Sequence, residues 1–359
     1  VRRTAALIVG GGPAGAAAAI RLARGGLAPV LVERNAGPRD IVCGGFMGWD
    51  ALASLRKLGI DPDALGARPI NRLRLIAGAS VVEVPLPYAA AGLSRRTLDT
   101  AMLNAAEQDG AEVLRGRAVR AAAGTRIRLD DEEEIEADAL LLATGKHELR
   151  GHERDASMAT ASIGLRCSIG LARAAASKID DHIELHLFDG GYAGLLLQED
   201  GRCNFCLSAS RARLKQAGGP QPLLNRIKAE SPVLADRLAG ADLGDWSAVA
   251  GVPYGWRAAD TVPHIYRIGD QAAVIASLAG DGIAIALASG IGGADALLAG
   301  QSAEHWQHSF HRRSRRPVAV AEMLRHAAEQ PRRRKALMEL LRQLPGLARI
   351  GARLTRIGS

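Results

Sequence analysis

Near its start the chain carries Gly10-Gly11-Gly12-Pro13-Ala14-Gly15 between two apolar runs, an arrangement that suits a strand, a tight turn and a helix and little else. The run before it, Ala5-Ala6-Leu7-Ile8-Val9, is apolar without alternation, as in a strand buried on both faces. Residues 15–23 are good helix formers, Gly25-Gly26 ends that helix, and Pro29-Val30-Leu31-Val32-Glu33 reads as a second buried strand. Strand, glycine turn, helix and strand make a βαβ unit, whose parallel strands imply an α/β sheet. Gly10 permits the tight turn, Gly12 lets the backbone approach a pyrophosphate, and Gly15 lets the helix pack on the strand. The helix N-terminus favours an anion. Glu33 closes the unit about 20 residues on, where a carboxylate reaches ribose hydroxyls. This predicts a dinucleotide site and leaves NAD and FAD both open.

Farther on, residues 93–108 predict a capped helix with Leu98, Met102, Leu103 and Ala106 on one face. Val113-Leu114-Arg115 and Ile127-Arg128-Leu129 read as short strands around it, and Ala139-Leu140-Leu141-Leu142 is an apolar strand ending in Ala143-Thr144-Gly145. Then the pattern changes to alternating segments at 162–169, 182–188, 193–197 and 202–207. Asp189-Gly190-Gly191 and Glu199-Asp200-Gly201 separate them, which is the mark of an antiparallel sheet. Leu73-Arg74-Leu75-Ile76 and Val81-Val82-Glu83-Val84 join that sheet, and Tyr266-Arg267-Ile268 returns to the first domain. The expected class is α/β, or α+β overall. It comprises a Rossmann-like cofactor domain (1–70, 92–150 and 260–310), an inserted antiparallel β-sheet substrate domain (71–91 and 151–259), and a C-terminal basic helical segment (311–359).

The choice between the two dinucleotides turns on a distant pair of segments. Ile268-Gly269-Asp270 and Gly280-Asp281-Gly282-Ile283-Ala284-Ile285-Ala286-Leu287 resemble the second flavin fingerprint of the p-hydroxybenzoate hydroxylase-type superfamily, which also includes flavin-dependent halogenases and geranylgeranyl reductases. The resemblance implies FAD, with Asp270 on the ribityl chain. It also implies that the helix opening near Gly282 turns its positive end to the flavin pyrimidine edge, where it would stabilise anionic reduced flavin. Cys43-Gly44-Gly45 resembles the loop that the geranylgeranyl reductase-like branch lays near the isoalloxazine. Arg95 and Asp99 resemble the R-x-x-x-D helix whose arginine approaches the FAD phosphates, and Ala143-Thr144-Gly145 resembles the turn beside the adenosine half. The cofactor set implied in this way is Gly10, Gly12, Pro13, Ala14, Gly15, Glu33, Arg34, Gly44, Gly45, Arg95, Val119, Thr144, Gly145, Asp270, Gly280, Gly282 and Ile283. NAD(P)H is implied as the transient electron donor.

The departures from those relatives are informative. The Y-x-W-x-F-P stretch of isoprenoid reductases is replaced by Tyr192-Ala193-Gly194-Leu195-Leu196-Leu197, and the W-x-W-x-I-P string of halogenases is absent. The proline that commonly follows the Gly-Asp pair is Ala276, and Thr144-Gly145-Lys146-His147 stands where hydroxylases that use NADPH carry Asp-Gly.

Four residues are candidates for chemistry beyond the cofactor: Cys43 as a thiol near the flavin, His147 as a proton shuttle, and Tyr192 and Trp256 as pocket aromatics. The blander readings are a packed cysteine, an idle loop histidine and core rings. With only twelve aromatic residues, the placement of Phe46, Trp49, Tyr192, Tyr254 and Trp256 beside the glycine motifs implies a pocket for an apolar or planar molecule. Cys203-Asn204-Phe205-Cys206 has metal-like spacing, but on a strand its two cysteines face opposite ways, and no metal is expected. His182, Glu184 and His186 share one strand face, read as a solvated face before a substrate wall.

Charge excludes one class of partner. The chain is formally +8, yet residues 311–359 hold 13 Lys/Arg against 3 Glu, so the remainder is slightly acidic and no nucleic-acid module is present. The basic tail reads as amphipathic helices that pack on the body or touch an anionic membrane. Residues 272–300 have the length of a membrane span, but Asp281, Asp295 and several glycines interrupt them. Four scattered cysteines argue for a reducing cytoplasm. The expected activity is that of an FAD-dependent monooxygenase of secondary metabolism, passing oxygen through a flavin C4a-hydroperoxide to a hydrophobic or aromatic small molecule. The alternatives are a reductase of a carbon-carbon double bond, favoured by Cys43-Gly44-Gly45, and a flavin electron-transfer protein.

Overall fold

The structure is a computed structural model that describes residues 1–154 and 162–358. Strand β1 (Arg2–Val9) runs through the glycine turn into α1 (Pro13–Arg24) and back to β2 (Val30–Glu33). There follow β3 (Phe46–Met47), α2 (Trp49–Lys57), β4 (Arg68–Ala77), β5 (Ser80–Gly92), α3 (Arg95–Gln108), β6 (Glu112–Arg115), β7 (Val119–Ala123), β8 (Arg126–Leu129) and β9 (Glu134–Leu142). Next come β10 (Ser162–Gly170), α4 (Arg173–Ile179), β11 (His182–Phe188), β12 (Gly191–Leu197), β13 (Cys203–Ser210), α5 (Arg211–Ala217), α6 (Pro220–Glu230), α7 (Pro232–Arg237), β14 (Asp242–Leu243) and β15 (Ser247–Ala250). The chain ends in β16 (Ile265–Arg267), α8 (Gly282–Leu298), α9 (Ala303–Glu329), α10 (Pro331–Gln343) and α11 (Gly346–Leu354).

Two sheets result. The first has the order β6-β2-β1-β9-β8-β7, with β16 also beside β9. Its β6, β2, β1, β9 and β16 are parallel, and β7 and β8 add an antiparallel hairpin. Because β1 is buried on both faces, alternate residues serve different layers. Ala6 and Ile8 pack under α1, α3 and α8, whereas Leu7 and Val9 join Ile127, Leu129 and Ile265 on the other side. The second sheet has the order β14-β10-β13-β12-β11-β4-β5-β3, with β15 also on β10. It is antiparallel apart from β4 and β11, which run parallel because the chain returns to this sheet only after building β6 to β9. Helices α4 to α7 cover one of its faces around Phe205, Leu195 and Leu165.

The glycine helix sits closer to its neighbours than any side chain allows. A Cβ added at Gly15 would stand 1.9 Å from the Gly10 carbonyl oxygen, and one at Gly290 of α8 would stand 2.2 Å from that of Ala14. Helices α1 and α8 therefore meet backbone to backbone. Helix α1 starts at Pro13, two residues before the predicted start, because proline suits the first turn, where its missing N–H costs nothing. The first helix of the tail likewise begins at Ala303, before the expected boundary at 311. Among the described residues, no helix is long and apolar enough to cross a membrane.

The polar face of β11 is buried, not solvated. Glu184 is fully buried and accepts hydrogen bonds from Arg74 and from Arg237 of α7 (3.0 Å), with His186 Nε2 3.3 Å away. Burial pushes its carboxyl up, but His186, Arg237 and Arg74 outweigh that and hold it down at about 2. Burial also holds the His186 pKa below the ordinary histidine value.

Two outcomes follow from this packing. Gly290→Ala must part α1 from α8 and is expected to cost about 1–3 kcal/mol in denaturant unfolding. The folded pKa of Glu184 lies below its unfolded value of about 4.3. Its stabilisation is therefore complete above that value and is lost as pH falls toward about 2. Glu184→Gln should lower stability at neutral pH and flatten the fall of melting temperature between about pH 5 and pH 2.

Candidate cofactor site and substrate cleft

The carboxyl ends of β1, β2 and β9 open onto a cleft of about 640 Å³ that reaches across to the second sheet. Gly10, at a φ of 109°, makes the turn off β1, where an added Cβ would stand 2.3 Å from the Ala143 carbonyl oxygen. Gly12 caps α1 without offering a side-chain acceptor, and Asp281 at the start of α8 likewise makes no side-chain cap bond. Gly12 and Ala14, and Gly282 and Ile283, are on the cleft wall. Two long helices thus bring their first turns, with free N–H groups and positive dipole ends, to one cavity.

At one end, Glu33 Oε2 accepts the Gly11 N–H (2.7 Å), and Oε1 accepts the Asn35 N–H (2.8 Å). Nearby, Arg95 holds Asp99 in a two-point bond of 2.8 and 2.7 Å, with its guanidinium beside Gly12. Burial works against that cation, but Asp99 more than offsets it, and the Arg95 pKa lies above its ordinary value. Ser94 caps α3 and donates, with Thr97, to Glu199 of the second sheet. That carboxylate fixes the height of Arg95 in the cleft. His147 sits at the rim, 2.7 Å from Arg34. Burial first, then Arg34 and Lys146, lower its pKa, so it is neutral near pH 7.

The loop 43–45 crosses the middle of the cleft. Asn204 Nδ2 donates to the carbonyls of Cys43 (3.0 Å) and Gly44 (2.7 Å), and Arg166 holds Asn204 Oδ1 (2.7 Å) and Asp40 (3.0 Å). Gly45 has a φ of 69°, and an added Cβ would stand 2.7 Å from Gln198 Nε2. Cys43 Sγ accepts the Gly45 N–H at 3.5 Å and lies beside the Arg95 guanidinium. Buried Gln271 ties the turn 144–147 by donating to Thr144 Oγ1 (2.9 Å) and the His147 carbonyl (3.0 Å). Lys146 donates to the Val42 carbonyl (3.3 Å). Burial opposes its charge, but Asp270 leads the neighbours that raise its pKa, so it is a cation on the wall.

The far end is apolar, formed by Ile183, Leu185, Leu196 and Leu278, with one cluster of three hydroxyls among them. Tyr192 donates to Ser277 Oγ (2.5 Å), and the Tyr254 hydroxyl lies 2.8 Å from the same oxygen. Both rings are buried, while Ser277 is exposed to the cleft. Burial pushes the Tyr192 phenol well above its ordinary pKa, so it keeps its proton.

The cleft wall takes in every residue of the expected cofactor set except Gly15, which instead closes the contact of α1 with Gly10. The four candidates for chemistry do not converge. Cys43 is in the central loop, His147 is at the Glu33 end, and Tyr192 is at the apolar end. Trp256 is off the wall, its ring 5.5 Å beneath the Arg154 guanidinium. Phe46 and Tyr254 join Tyr192 on the wall, but Trp49 stacks away from it with Tyr88. The sequence reading passed over Ser277, Asn204, Gln271 and the charge on Lys146. Asn204 did leave a sign, because Asn204, Cys206 and Ser208 alternate with Cys203, Phe205 and Leu207 along β13.

These residues fit a dinucleotide carrying a flavin. Added Cβ atoms at Gly44, Gly145 and Gly282 would meet only open space, so backbone is bare where a flat ring system must approach. The uncapped turn of α1 with Arg95 suits a pyrophosphate, and Glu33 a ribose. Glu33→Ala is expected to weaken FAD binding on the order of tenfold to a hundredfold, measured by titrating apoprotein with FAD. Glu33→Gln, which keeps one acceptor, should weaken it less.

Comparison with known proteins agrees with this geometry. The family described as FAD binding domain matches residues 3–152. The menaquinone reductase of Mycolicibacterium smegmatis is 27% identical over 225 residues, 58% of this chain and 55% of that protein, so the chain spans about half the length of this relative. The chloroplastic geranylgeranyl diphosphate reductase of Oryza sativa subsp. japonica is 35% identical over 127 residues, 33% of this chain and 26% of that protein. Among solved structures, the flavin-dependent brominase Bmp2 superposes with a TM-score of 0.80 at 17% identity, covering 98% of this chain and 93% of that one, a likeness of fold alone. The stretch that matches the FAD binding domain family, residues 3–152, thus supplies the glycine turn, Glu33 and Arg95 of this cleft.

Proposed function

We propose that this protein reduces a carbon-carbon double bond of a hydrophobic molecule held at the apolar end of the cleft. The observation that carries the reading is the hydroxyl group of Ser277, presented to an otherwise apolar wall and backed by two buried phenols. FAD, when bound, supplies the hydride equivalent for one carbon of such a bond. The other carbon needs a proton, and an apolar wall offers few sources. Tyr192 donates to Ser277 Oγ and the Tyr254 hydroxyl can donate to its second lone pair, an arrangement that leaves the serine O–H to face the substrate. Ser277 then holds the transferable proton, and the two phenols replace it from behind. The raised pKa of Tyr192 keeps this store filled at high pH.

The two reductases to which the sequence is similar support this reading. So does the 43–45 loop, clamped by Asn204 across the second sheet. Oxygenation, with NAD(P)H as the electron donor, is the second reading. An equally dry, apolar wall suits it.

The experiment loads the protein with FAD, reduces it without oxygen using dithionite, and adds menaquinone with an unsaturated side chain or geranylgeranyl diphosphate. Flavin reoxidation coupled to the loss of one side-chain carbon-carbon double bond, distinct from reduction of the quinone ring to the quinol, is expected. Tyr192→Phe combined with Ser277→Ala should slow that step on the order of a hundredfold without changing FAD affinity. Reoxidation only on admitting air, with a product that gains oxygen, would overturn reduction in favour of oxygenation.

A further inference from the structure

The last two helices leave a row of apolar side chains in solvent. Leu340 and Leu344 at the end of α10, and Leu347 and Ile350 on α11, are all exposed, Leu344 by 54% and Ile350 by 52%. Leu340 and Leu344 are four residues apart along α10 and its cap, and Leu347 and Ile350 three apart on α11, so each pair shares one side of its helix. No residue of α11 is buried. Tyr88 of β5, the strand on which both helices pack, is also exposed and lies beneath Arg353 of α11.

Basic groups surround this row. Residues 331–358 hold eight Lys/Arg against one Glu. Arg332, Arg333, Lys335 and Arg349 are exposed and form no ion pair among the described residues. Arg353 lies over the Tyr88 ring at 5.7 Å, and Arg342 reaches Ser80 Oγ at 2.7 Å. A surface built to meet another protein concentrates apolar area at its centre and is depleted of charge there. Here arginines alternate with isolated leucines and isoleucine, the pattern of a helix lying in a lipid headgroup region.

The fold anchors these helices firmly. Met338 and Leu341 on the inner side of α10 are buried with Val82, Val84, Leu185 and Tyr192. Arg356, just after α11, is lodged between Asp50 (3.8 Å) and the fully buried Asp281, over the Trp49 ring at 4.3 Å. Leu185 and Tyr192 also line the cleft, so one apolar layer separates the exposed row from the pocket.

We infer that α10, α11 and the edge of β5 form a docking surface for an anionic phospholipid bilayer, with Leu344, Leu347 and Ile350 entering the acyl boundary and the arginines meeting the headgroups. The inference stands apart from the reaction in the cleft.

The test uses the full FAD-loaded chain with sedimented vesicles of phosphatidylcholine, with and without phosphatidylglycerol. Binding is expected only where phosphatidylglycerol is present, and it should weaken as salt rises. Leu347→Asp with Ile350→Asp, and separately Arg332→Gln with Arg333→Gln and Lys335→Gln, should each lower binding on the order of tenfold, with FAD content and circular dichroism unchanged. Should the aspartate pair unfold the chain, the glutamine set decides alone. Failure to bind phosphatidylglycerol vesicles at low salt would overturn the proposal. So would unaltered binding by a folded aspartate pair, or a concentration-dependent dimer that the aspartate pair abolishes while vesicle binding persists.

Discussion

The structure depends on the backbone contact of α1 with β1 below it and α8 beside it. At Gly15 and Gly290 the approach leaves no room for even a methyl group. Bringing two helices this close aligns their N-terminal ends at the mouth of the parallel sheet, where β1, β2 and β9 stop together. Without that contact the uncapped N–H groups of Gly12 to Ala14 and of Gly282 to Ile283 would face different cavities. With it, their partial positive charges act on one bound molecule.

The second sheet serves this cleft in two ways. Its inward residues line the apolar end with Ile183, Leu185 and Leu196, and its polar residues brace loops on the side of the glycine turn. Glu199 fixes the start of α3, and so Arg95, while Asn204 fixes the loop 43–45 with help from Arg166 and Asp40. These buried bonds have to be satisfied together, since a lone Asn204 or Arg166 in that position would carry the desolvation cost of an unpaired polar group. Cofactor loop and substrate wall therefore hold one another in register. Trp256 and Trp49, which the sequence pattern assigns to the pocket, instead stack beneath Arg154 and Arg356.

Much of the cofactor half was legible in the residues. Strand, turn and helix are local structures, and Gly10, Gly12, Gly15 and Glu33 lie at spacings that follow from local geometry, whereas Arg95 and Asp270 were implied by the family resemblance. The substrate half was less so. His182, Glu184 and His186 read as a solvated face because alternation reveals which residues share a side, not what covers that side. Helix α7, with Arg237, covers it. Ser277 carried no local signal at all, being a single serine in a turn whose partners are 85 and 23 residues away.

The sequence by itself determined the βαβ unit and the dinucleotide class, while the flavin was implied only by the resemblance of Gly269-Asp270 and Gly280-Asp281-Gly282 to a known fingerprint. The βαβ unit and the dinucleotide site rest on backbone conformations that glycine tolerates and on short-range periodicity. Only the tertiary structure decided that Tyr192, Tyr254 and Ser277 share one hydrogen-bonded point, that Asn204 holds Cys43 and Gly44, and that the basic tail turns Leu344, Leu347 and Ile350 outward. Those arrangements depend on which faces of distant strands and helices meet, and that is settled by packing the whole chain around a common core.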